Sequence, residues 1–112
     1  MTSVRDFVRD IQREVRDTDL QPSRAAELLA KLTALLGNVL DEIREADMAY
    51  SLVLLAHLRS EAKANRATIQ AETSAEYARK REARDIKELV LEMSRALKYL
   101  LRSKEEEMRL SR

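Results

Sequence analysis

The chain has 112 residues, 45% hydrophobic and 37% charged, with 21 basic residues against 20 acidic ones and a net charge of +1. It contains no cysteine, which excludes disulfides, thiolate metal ligands and cysteine nucleophiles together. No run of about eighteen apolar residues is present, so no membrane-spanning helix is expected.

The opening MTSVRDFVRD mixes acid with base and lacks the apolar centre of a secretory signal. A cytoplasmic location is the expectation. One glycine and one proline leave little turn chemistry. Alanine, leucine, lysine, arginine and glutamate abound, and all are good helix formers. No alternating run of β-branched residues calls for a strand. The expected fold is all-α and a single domain over residues 1–112, with helices at about 3–16, 22–66 and 74–108.

The first helix opens at a cap, Ser3 or Thr2. Val4, Phe7, Val8, Ile11 and Val15 then fall on one helical face. Arg5, Asp6, Arg9, Asp10, Arg13, Glu14 and Arg16 take the other. A helix of about four turns is marginal alone and must dock. Phe7 reads as its anchor in the core.

Asp17 to Gln21 break this pattern, and Pro22 fits the first position of a new helix. Leu20 is placed to staple that helix from outside. The second helix carries the clearest signal in the chain. Leu29, Leu32, Leu36, Val39, Ile43, Ala46, Tyr50, Val53 and His57 follow one another at alternating spacings of 3 and 4, an unbroken heptad seam. Leu28, Leu35, Leu40 and Leu54 widen it. Gly37 lies inside the seam, and the preferred reading is close packing there against the first helix. Tyr50 is expected to pack its ring and send its hydroxyl to the edge.

From Ser60 to Ala78 leucine disappears and alanine remains, with Ile69 the one large aliphatic. Helix propensity stays high while the capacity to build a core falls. Either the second helix continues and turns near Thr73 and Ser74, or the chain turns between Asn65 and Thr73. Thr73 or Ser74, with Glu76 or Tyr77 just beyond, marks the start of the next helix, and Thr73 followed by Glu76 has the spacing of a capping box. In that helix Ile86, Val90, Met93, Leu97, Leu100 and Lys104 are spaced 4, 3, 4, 3 and 4, with Met93 a core filler. The expected architecture is an antiparallel hairpin of the two long helices plus the short N-terminal one, assembled into a helical-bundle oligomer. A homodimer or higher oligomer would bury the surplus leucines. Leu28, Leu35, Leu40, Leu54 and Tyr99 are the expected contacts between copies.

Charge is spread unevenly. Residues 1–56 hold 7 basic against 10 acidic residues, a balance of −3, and residues 57–112 hold 14 against 10, a balance of +4. Arg79, Lys80, Arg81 and Arg84, with Lys63 and Arg66 before the turn, make a basic tip able to contact phosphates. Tyr77 is a stacking platform for one base. The bland alternative is that Glu76, Glu82 and Asp85 neutralise the same arginines.

No catalytic set emerges, and the chain is expected not to be an enzyme. Asp41, Glu42, Glu45 and Asp47 form an acidic cluster, and Glu88 and Glu92 a second pair. Neither comes with a phosphate-gripping set or a Glu-x-x-His pair, so no metal and no cofactor is assigned. His57, the lone histidine, reads as the end of the core, since no nucleophile accompanies it.

The segment from Leu58 to Arg109, with LRSEAK, then TSAEY, then LKYLLR, resembles small helical proteins encoded by bacteriophages, some of them thought to assist replication or recombination. That resemblance implies a non-catalytic accessory protein of phage DNA metabolism, binding single-stranded nucleic acid or a replication partner. The alternative is a structural or protein-interaction module, an adaptor, assembly factor or inhibitor with no nucleic-acid contact.

Overall fold

A computed structural model describes residues 3–111, so Thr2, one of the two expected caps, lies outside the described residues. Four helices follow one another: α1 (Val4–Asp17), α2 (Pro22–Ser60), α3 (Ala64–Glu72) and α4 (Ala75–Leu110). No strand occurs among the described residues, and the chain is all-α. It packs as two units. Of the described residues, the first takes those up to 37 and those from 86 onward, and the second takes residues 38–85.

In the first unit Ser3 caps α1, its hydroxyl accepting a hydrogen bond from the Asp6 amide at 3.1 Å. Val8 and Ile11 are buried, while Val4, Phe7 and Val15 are half-buried. Phe7 is thus a flank of this core and not its anchor. Thr18 closes α1 by donating through both its amide and its hydroxyl to the Glu14 carbonyl. Leu20 and Ala25 are both buried and stand at the two positions of a hydrophobic staple around the start of α2. Glu14 receives a fork of three hydrogen bonds from Arg24 at 3.0 to 3.3 Å. Lys104 donates to Asp19 at 2.7 Å, and that bond raises the lysine's pKa. Leu28, Leu32, Val90, Met93 and Leu97 complete an aliphatic core.

The second unit is built differently. Its buried residues are Val39, Ala46, Tyr50, Ala67, Ala71 and Ala83. Four of the six are alanines, so little apolar area is removed from water. α2 ends at Ser60 instead of running on to 66, where Ser60 Oγ and the Glu61 amide both donate to the His57 carbonyl. Residues 64–72 form a helix of their own, which buries Ala67 and Ala71 one turn apart. Ser74, not Thr73, caps α4: its hydroxyl accepts from the Tyr77 amide at 3.2 Å. Thr73 Oγ1 instead donates back to the Gln70 carbonyl.

Helix α2 passes Gly37 without a break. A methyl group built there would meet nothing within 4 Å. The expected close packing at Gly37 is therefore absent.

Candidate functional site

The basic residues singled out in the sequence lie in the second unit, and most of them are already engaged. Arg79 grips Glu42 with a fork of two hydrogen bonds, Nε at 2.9 Å and Nη2 at 2.6 Å. The same Nη2 lies 3.5 Å from Glu45. This hydrogen bonding holds the Glu42 carboxyl below the usual carboxylate range and raises the arginine. Arg84 donates to Asp47 Oδ2 at 2.8 Å. Arg66 stands 3.8 Å from Glu61. Lys63 is the exposed residue that opens α3.

The aromatic residues are engaged as well. Tyr50 and Tyr77 meet with ring centroids 5.3 Å apart, tilted by 47°. The Lys80 ammonium sits 4.5 Å from the centre of the Tyr50 ring, and the Arg81 guanidinium 5.9 Å from that of Tyr77. Each is within range of a cation–π attraction. Burial, then the Glu72 charge and then Tyr77, push the Tyr50 phenol up. Tyr77 is half-buried against this cluster and does not stand out as a free platform. The acidic cluster on α2 thus acts as the counter-charge of the basic run on α4. The carboxylates seen to bind Arg79 and Arg84 are Glu42 and Asp47, 37 positions away, and Glu45, close beside them in sequence, and no local charge pattern points to them. Among the described residues no group of three His, Asp or Glu side chains converges to hold a metal ion.

The residues expected to join copies divide sharply. Leu28 is 2% exposed, buried inside the first unit, and has no surface left to offer another copy. Leu35 and Leu54 are half-buried; Leu35 lines a shallow apolar groove with Val4, Phe7 and Ala34. Leu40 and Tyr99 are exposed.

A larger apolar surface was missed in the sequence reading. Met48, Leu52 and Leu55 are 63%, 62% and 43% exposed. Their spacing of 4 and 3 places them on one face of α2, away from the buried Val39, Ala46 and Tyr50. Leu40 and Leu58 lie at its edge, both exposed. Arg44, Glu45, Met48, Ala49 and Leu52 line a shallow, open groove along it. The signal was present as a short apolar run spaced 4 and 3, overshadowed by the longer leucine seam.

Comparison with protein-family models, with curated proteins and with solved structures gives no match.

Proposed function

We propose that this chain is a non-catalytic helical interaction module, an adaptor or assembly factor that presents the outer face of α2 to a protein partner. The carrying observation is the exposed row Met48, Leu52 and Leu55, which none of the described residues covers. A contiguous apolar row of this kind on a small domain is a mark of an interaction surface. The charge arrangement favours the same reading over an accessory role on single-stranded nucleic acid. Arg79 and Arg84 are held by carboxylates, and a phosphate would have to displace them.

Pairing of α2 with α4 as an antiparallel hairpin, and assembly of copies into a bundle, belong to this proposal. Tyr50, late in α2, meets Tyr77, early in α4, as a hairpin requires. The cytoplasm is the expected setting, and no helix among the described residues is long and apolar enough to cross a membrane.

The test is a titration of a labelled single-stranded oligonucleotide followed by fluorescence anisotropy, at low and at moderate salt. Wild type is compared with a Lys63→Glu, Arg66→Glu, Arg81→Glu variant, which spares the arginines that bind α2. No saturable binding by either protein is the expected result. Binding that falls steeply with salt and is lost in the variant would establish the nucleic-acid role instead.

A further inference from the structure

We propose that the occupant of the outer α2 face is a second copy of this chain, seated antiparallel across a two-fold axis; this rests on the interaction reading above. Asp41, Glu45, Met48, Leu52, Leu55 and Arg59 follow one another at 4, 3, 4, 3 and 4, and all six are exposed. This is a second heptad on the same helix, on the side opposite the buried one.

Its chemistry is graded along the helix. Acid stands at the N-terminal end, apolar side chains in the middle and base at the C-terminal end. Position 50 is the midpoint, and Asp41 and Arg59 are equidistant from it. An antiparallel copy centred there puts Met48 against Leu52 of the partner subunit, in a layer that recurs by symmetry. Asp41 then faces Arg59 of the partner subunit, also twice. Glu45 falls beside Leu55 of the partner subunit, with its carboxylate still attended by Arg79 at 3.5 Å.

A parallel copy would stack Asp41, Glu45 and Arg59 each on its own like charge, which is unfavourable. A foreign helix would have no reason to require that the two ends of this row match each other. Self-complementarity about one point is what a two-fold homodimer requires.

One local pair must yield. Arg44 Nη2 lies 3.3 Å from Asp41, but their side chains are 80% and 67% exposed, and such a pair holds weakly. The seam is short, about 27 Å from end to end at 1.5 Å per residue. Association is therefore expected in the micromolar range and not tighter.

The absence of native cysteine allows a clean test. Met48→Cys and Leu52→Cys proteins are prepared separately, checked for unchanged helicity, mixed and mildly oxidised. A mixed disulfide exceeding either homodisulfide is expected. Sedimentation equilibrium of wild type should show a monomer–dimer equilibrium. Asp41→Arg should weaken it about fivefold, and adding Arg59→Asp in the same chain should restore it. Homodisulfides that dominate, or a wild-type monomer throughout the micromolar range, would overturn the inference. A wild-type monomer would also remove the assembly of copies from the proposed function, whereas the choice of a protein partner over nucleic acid falls only if the oligonucleotide binds.

Discussion

Arg79 and Glu42 are joined by a two-pronged hydrogen bond that ties the basic run of α4 to the acidic run of α2. Both side chains are a little over two-fifths exposed, so solvent screens the pair and its contribution to stability is small. The Glu42 carboxyl is depressed in the folded protein. Its contribution is therefore present above the ordinary carboxylate pKa and is lost as the pH falls through the depressed value. Urea unfolding from neutrality down through about pH 3 should show a loss in wild type that is smaller in Glu42→Gln. An equal loss in both proteins would remove Glu42 as its source.

Gly37→Ala should stabilise the protein by about 0.5–1 kcal/mol. Glycine within a helix carries a conformational cost that alanine avoids, and the added methyl meets no neighbour. The urea midpoint should rise. A fall would mean that bulk at this position is not tolerated.

The aliphatic and alanine cores should respond oppositely to volume. Leu32 is fully buried, and Leu32→Ala should cost about 2–5 kcal/mol through lost burial and the cavity left behind. Ala71 is likewise fully buried, and Ala71→Leu should cost about 1–3 kcal/mol through overpacking. Chemical denaturation of the two variants measures both. A neutral Ala71→Leu would show that α3 is loosely seated.

Lys80→Met tests the ammonium above the Tyr50 ring. The aliphatic stem is kept while the charge is removed, so the expected loss is about 0.5–1 kcal/mol. Repeating the substitution in a Tyr50→Leu background should abolish that difference. A loss that persists there would assign it to something other than the ring.

Much of the helical plan was legible because burial imposes a period. Leu32, Val39 and Ala46, seven apart, are buried as the α2 seam demands, and Val90, Met93 and Leu97 do the same on α4. The end of α2 was not legible. Residues 60–66 contain no glycine or proline, and five of the seven are good helix formers; the break there accompanies the burial of Ala67 and Ala71, a tertiary event. The partners of Arg79 and Arg84 were hidden for the same reason, since carboxylates 37 positions away leave no trace in local spacing. Leu28 was misassigned because spacing identifies a flank of the seam without saying which neighbour covers it.

The alanine-built interior of the second unit has a thermodynamic consequence. Heat capacity of unfolding scales with the apolar surface exposed, and Ala46, Ala67, Ala71 and Ala83 expose little. Opening this unit takes up less heat per degree, residue for residue, than opening the leucine-filled one, and responds less to denaturant. Native-state hydrogen exchange in rising urea should therefore show amides of α3 with shallow denaturant dependence, and those around Leu32 and Leu97 with a steep one.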